Sequence, residues 1–293
     1  MTTGLLLTTV ALLQQAAEPQ SIPFELTSHN NIAVRVLINE RDQAMLMFHL
    51  AVDSVSLTQK ASRRIGSVSF DKNARLSSWG GQSAPVLYSS RNTLQIRGQT
   101  WKDVGITESR HSGPGTDGKF GPNLFGGRIV EIDFDRGRLV IHPSLPEHAA
   151  NYERLDIETR SGSMFAKATV GIGGELVQND FMIHTGFGGG VLFDDAFAAR
   201  HRLVSTLKVV GGRELKDSMG NVLKTTKLQI PSLRLGSFSL AGLPAEVFPG
   251  AIQSQKMSVL GADVWKRFNM LIDTGAGHLY LKPNNLRHLP YSQ

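Results

Sequence analysis

The sequence predicts a mostly β protein made of two halves that share one design. Three observations lead there. Thirty glycines accompany short runs of Val, Ile, Leu and Thr, and only 19% of residues are charged; this mix favours strands and tight turns over long helices and argues against disorder. A 24-residue segment repeats without a gap 140 positions later. A second pair of segments matches at an offset of 135, upstream of the first pair in each half.

In chain order, the first feature is an apolar run, Leu5 to Leu13, followed by Ala16-Ala17. It has the shape of a secretory signal peptide cut after Ala17, although Met1 to Gly4 carry no Lys or Arg and Gln15 sits three positions before the cut. Residues 1–21 are therefore expected to be signal peptide and linker, and the protein secreted or periplasmic. No later apolar run is long enough to span a membrane.

The first half is expected at about 22–148. Ile32 to Ile38 alternates as a strand. Residues 46–58 (LMFHLAVDSVSLT) carry an apolar strand into His49, and Thr93 to Ile96 is a further strand. Residues 120–143 (FGPNLFGGRIVEIDFDRGRLVIHP) read as a glycine turn, a short helix or turn, and a hairpin closed by Asp135-Arg136-Gly137. Pro143 to Asp156, polar and holding two prolines, is the expected connector.

The second half, about 160–288, repeats this order. Ala166 to Ile172 is a strand, residues 181–193 (FMIHTGFGGGVLF) carry His184, and Leu228 to Leu235 is a strand. Residues 260–283 (LGADVWKRFNMLIDTGAGHLYLKP) match 120–143 at Gly121/Gly261, Ile132/Ile272, Asp133/Asp273, Gly137/Gly277, Leu139/Leu279 and Pro143/Pro283. Ordered matches at two offsets point to duplication of one structural unit.

Composition excludes some functions. The chain has no cysteine, so it has no disulfide, no thiolate chemistry and no Cys-ligated zinc. The net charge of +6 is scattered, and basic pairs such as Arg63-Arg64 stand alone without stacking aromatics. Nucleic acid is not an expected partner, while acidic partners suit the charge.

Taken together, these motifs resemble the pepsin/retropepsin-like aspartic peptidases. In that family each lobe has an apolar strand ending in Asp-Thr/Ser-Gly, and later a hydrophobic-hydrophobic-Gly turn beside that loop. Here Ile183-His184-Thr185-Gly186 and Val259-Leu260-Gly261 occupy the two motifs of lobe two. Phe48-His49-Leu50-Ala51 and Lys119-Phe120-Gly121 occupy those of lobe one, with Lys119 a departure. The resemblance implies two β-barrel lobes related by a pseudo-twofold axis, with His49 and His184 meeting where the family places its catalytic aspartates. It implies no cofactor.

The departures bear on activity. Two carboxylates sharing a proton supply the base and the acid of the family's hydrolysis, and two imidazoles do not reproduce that pair. Thr185 and Gly186 preserve one loop, the hydroxyl bracing and the glycine permitting close approach; Leu50 and Ala51 lose both features in the other. Ile272-Asp273-Thr274-Gly275-Ala276 matches the family's signature, yet the repeat equates Asp273 with Asp133 in a late hairpin, so Asp273 is expected to be a decoy. Asp53, followed by Ser54 and Val55, is a weaker stand-in. A metal on His49 and His184 would need a third ligand, and His29, His111 and His201 lack ligand-like spacing, so no metal is expected.

The expected function is an inactive peptidase-like protein that binds an extended peptide or protein segment between its lobes, through His49, His184, Thr185 and Gly186. Two alternatives stand. One is an active aspartic endopeptidase using Asp273 or Asp53, or two copies of Asp273 paired between chains. The other is a structural envelope protein with no ligand.

Overall fold

In a computed structural model, residues 18–78, 81–250 and 255–292 are described; the apolar run Leu5 to Leu13 and Ala16-Ala17 lie outside them. Ile32–Ile38 turns through Asn39 and Glu40, both at positive φ, and pairs antiparallel with Asp42–Phe48 from Ile32↔Phe48 to Ile38↔Asp42. Six further strands, the first at Glu25–Leu26 and the last at Gly118–Phe120, complete an eight-stranded sheet in the first lobe.

The two lobes repeat one unusual crossover. Asp42–Phe48 pairs in parallel with Gly118–Phe120, which also pairs antiparallel with Val55–Thr58. In the second lobe Glu175–Ile183 pairs in parallel with Ser258–Leu260, which pairs antiparallel with Val191–Leu192. Each arrangement wedges a short strand between the two arms of a histidine-bearing loop. Glycine is required there: a Cβ on Gly118 would overlap the backbone carbonyl of Ser56.

The late hairpins form a layer shared by both lobes. Ile129–Asp133 and Arg138–His142 come from the first half, and Phe268–Asp273 and His278–Pro283 from the second. They join back to back at Val130↔Ile272, Glu131↔Leu271 and Ile132↔Met270, with Glu131 opposite its own repeat partner. Gln20–Pro23 flanks one side, Glu153–Arg160 flanks the other, and the latter strand continues into the second lobe's sheet.

The core is continuous across this layer. Phe48, Phe120 and Phe125 cluster in the first lobe with ring centroids 5.3–6.1 Å apart. Phe193 stacks on Phe197 at 5.1 Å in the second. Each buried ring contributes roughly 1.5–3 kcal/mol of burial. Trp265, fully buried, donates its indole N–H to the Leu260 carbonyl at 2.7 Å and closes the glycine turn at Gly261 back on its own strand. The architecture is two β-barrel lobes about a pseudo-twofold axis, as the sequence predicts. Among the described residues no helix is long and apolar enough to cross a membrane.

Candidate functional site

The site forms where the two crossovers meet. His49 follows the strand Asp42–Phe48, and its backbone N–H donates to the Phe120 carbonyl at 2.9 Å. His184 follows Glu175–Ile183 and donates in the same way to Leu260 at 3.1 Å. Phe120 and Leu260 are repeat partners, so the two histidines hold equivalent places in their lobes. A Cβ on Gly121 would overlap the Val52 carbonyl, and one on Gly261 would overlap the Gly189 carbonyl. Both turns thus pack directly against the loops, as the motif order predicts.

The imidazoles meet with ring centroids 4.4 Å apart at 66°. Gly186 makes the approach possible, because a Cβ there would overlap the His49 ring. Thr185, 1% exposed, braces the two loops: its hydroxyl donates to the Phe48 carbonyl at 3.2 Å and accepts from Leu50 N–H at 3.0 Å. Leu50, buried and apolar, returns no such bond. A second strap comes from Asn31, whose side-chain amide donates to the carbonyls of Thr185 at 3.2 Å and Gly186 at 3.3 Å. The Asn31 Oδ1 is buried without a partner.

Backbone contacts fix the tautomer of both rings. Ala51 N–H donates to His49 Nδ1 at 3.0 Å, and Phe187 N–H donates to His184 Nδ1 at 2.8 Å. A nitrogen that accepts carries no proton, so each neutral ring holds its proton on Nε2. Burial holds His49 well below the usual imidazole range, helped by the charges of His184 and Lys119. Burial, followed by the charge of Lys119, pushes His184 down to about 4. At neutral pH the pair is uncharged and presents N–H donors.

Lys119 precedes the turn at Gly121. Burial lowers its ammonium to about 8, opposed by the nearby Asp217 carboxylate, so it remains charged at pH 7. It donates to the Ser218 hydroxyl at 2.5 Å. Ser218 lies at the tip of the second lobe's hairpin, between Lys208–Lys216 and Val222–Leu235, and its carbonyl accepts from Arg110 N–H at 2.9 Å and His111 N–H at 3.1 Å. Asp217 shapes the tip by accepting from the N–H groups of Met219 and Asn221 at 2.9 and 2.8 Å. This tip bridges to the first lobe beside the histidines.

The remaining candidates lie apart from the pair. Asp273 closes a hairpin of the shared layer, its carboxylate accepting from Ala276 N–H at 2.9 Å. Asp133 does the same for Arg136 N–H at 3.1 Å in the matching hairpin. Asp53 is exposed. His29 contacts Ser28, His201 packs on Phe197 at 4.5 Å, and His111 lies near Lys216, Lys119 and Asp217. Sequence reasoning missed Asn31 and Ser218, which reach the site from distant turns; Lys119 did stand out, as a charge in a motif position that is otherwise apolar.

Neither a protein-family model nor a curated protein matches the sequence. Among solved structures, the chain is similar to an aspartic proteinase from Irpex lacteus, with a TM-score of 0.61 over 94% of this chain and 100% of that one, at 14% identity. The likeness is one of fold. It supports a pepsin-like fold for the two lobes.

Proposed function

We propose that this chain is a non-hydrolytic protein of peptidase-like architecture that binds an extended peptide or protein segment between its lobes, through His49, His184, Thr185 and Gly186. One observation carries the proposal: each histidine spends its Nδ1 lone pair on a backbone N–H. With the proton on Nε2, neither ring has a lone pair left to activate water, and among the described residues no carboxylate acts on either ring. The same arrangement supplies what a peptide carbonyl or carboxylate needs, namely N–H donors with the Lys119 ammonium close by. Strand edges add a means of holding extended chain: Lys208–Lys216 is an edge strand and exposes Val209 and Val210. On its N-terminal apolar run, we place the protein outside the cytoplasm.

The test has two parts. Casein and a peptide library incubated between pH 3 and 7 should show no turnover. Peptides captured by the wild type should be lost with His184→Ala, and capture should weaken above about pH 8, where Lys119 gives up its charge. Pepstatin-sensitive turnover abolished by a single substitution at His49 or His184 would overturn the proposal. Capture that is indifferent to His184→Ala would favour a purely structural protein.

A further inference from the structure

The shared layer holds a second cluster of ionisable groups, outside the histidine loops. Glu131, in Ile129–Asp133, is 5% exposed, as is His142 at the end of Arg138–His142. Both break the repeat, which places Leu271 and Lys282 at the matching positions. Burying a carboxylate in a central strand is costly unless it is paired, and here two imidazoles pair it. His142 Nε2 lies 2.7 Å from one carboxylate oxygen, and His148 Nε2 lies 3.2 Å from the other.

We infer that Glu131, His142 and His148 form a binding site for a divalent transition-metal ion of the zinc type, which fastens the inter-lobe connector to the shared layer. Two imidazole nitrogens and a carboxylate oxygen are a common zinc donor set, and the ligand atoms of the three groups lie within 4.8 Å of one another. A tetrahedral ion with bonds of about 2.0–2.1 Å needs its ligand atoms roughly 3.3 Å apart. The contacts of 2.7 and 3.2 Å run to different carboxylate oxygens, and the three ligand atoms lie within 4.8 Å, so the side chains draw together by up to about 1.5 Å to admit the ion. Both rings now use Nε2–H toward the carboxylate; on binding, each proton moves to Nδ1 or leaves to solvent, freeing the Nε2 lone pair.

The surroundings suit such a site. Burial opposes ionisation of Glu131, but the hydrogen bond from His142 and the charges of both imidazoles hold its carboxyl below the usual value. Tyr152, half-buried, sets its ring 6.0 Å from that of His148 on the connector. Ile129, Ala149, Leu271 and Tyr280 form a small buried apolar cluster that joins the layer to the connector. The His148 side chain is 46% exposed, giving a route in and a face for a water ligand. His148 lies in the 3-10 turn Glu147–Asn151 of the connector, whereas the other two ligands lie in the sheet.

The experiment uses the full chain after chelator treatment. Calorimetric titration with Zn²⁺ should give one ion per chain, Co²⁺ should develop visible d–d absorption, and Zn²⁺ should raise the melting temperature. His148→Ala, at an exposed position, should weaken Zn²⁺ binding by about 100-fold or more and remove the thermal shift. His201→Ala, at a histidine elsewhere, should change neither. Glu131→Gln should match His148→Ala where circular dichroism shows it folded; where it is not folded, His148→Ala decides alone. Zn²⁺ affinity unchanged in His148→Ala, or no saturable one-to-one binding by the wild type, would overturn the inference.

Discussion

The loops around His49 and His184 start from equivalent places and end in different chemistry. Each receives a carbonyl from its glycine-turn strand, and each has its imidazole fixed by a backbone N–H on Nδ1. Only the second loop reaches out. Thr185 grips the first loop through two hydrogen bonds, and Gly186 leaves room for the opposing ring. The first loop answers with Leu50 and Ala51, which pack but do not grip. A pseudo-symmetric pair thus survives on a one-sided brace, because a single hydroxyl that both donates and accepts can join two loops.

The comparison breaks most visibly with acid. Both histidines titrate below their ordinary value when folded, so as pH falls the unfolded chain takes up protons first. Stability is complete above about pH 6.5 and is lost as pH falls toward 4, by on the order of 3 kcal/mol for His184. Urea unfolding at pH 7 and pH 4.5 should show the loss in wild type and a shallower one in His184→Gln; equal slopes would remove the burial account.

Steric asymmetry comes next. Gly186→Ala forces a methyl into the His49 ring and should cost about 2–3 kcal/mol. Ala51→Gly in the other loop should cost less than about 1 kcal/mol. Similar melting temperatures for the two variants would show that the loops are equivalent after all.

The brace itself gives a smaller effect. Thr185→Val leaves the Leu50 N–H buried without its acceptor, at a cost of about 2 kcal/mol. Leu50→Thr, which offers a hydroxyl on the silent side, should stay within about 1 kcal/mol of wild type. Denaturant midpoints separate the two, and a stabilising Leu50→Thr would mean that the missing half of the brace can be rebuilt.

The smallest difference lies in the late hairpins. Asp133 is buried and meets Arg136 and Arg138 at 3.1 and 3.2 Å, whereas Asp273 has the turn bond from Ala276. Asp133→Asn should cost about 1–2 kcal/mol and Asp273→Asn under about 0.5 kcal/mol. Neither should alter peptide turnover, which is expected to be absent throughout. Cleavage by wild type that vanishes in a folded Asp273→Asn would restore Asp273 to the chemistry.

Much of this was legible because duplication writes long-range order into local pattern. Gly121/Gly261 and His49/His184 recur in one sequence order, and that order placed the crossovers and brought the histidines together. The rest depends on contacts between residues that no pattern relates. Asn31 touches Thr185 across 154 positions, and Ser218 reaches Lys119 across 99. The tautomers follow from two backbone N–H groups, which no side-chain identity reveals. Glu131, His142 and His148 carry no familiar ligand spacing, because two of them lie on paired strands and the third on a turn that folds back over them. The back-to-back joining of the hairpins was also hidden, since Glu131 faces Leu271 through backbone bonds alone.

That joining sets a condition on how the protein is made. The strand Ile129–Asp133 finds its central neighbour only in Phe268–Asp273, about 140 residues later. At about 5–20 residues per second, a ribosome takes roughly 7–28 s to cover that distance. Throughout that interval the nascent first half carries an open, apolar strand edge of the kind that pairs with other chains. The partner hairpin, Phe268–Asp273 with His278–Pro283, comes late in chain order, so a chain cut before it would keep that edge exposed for good.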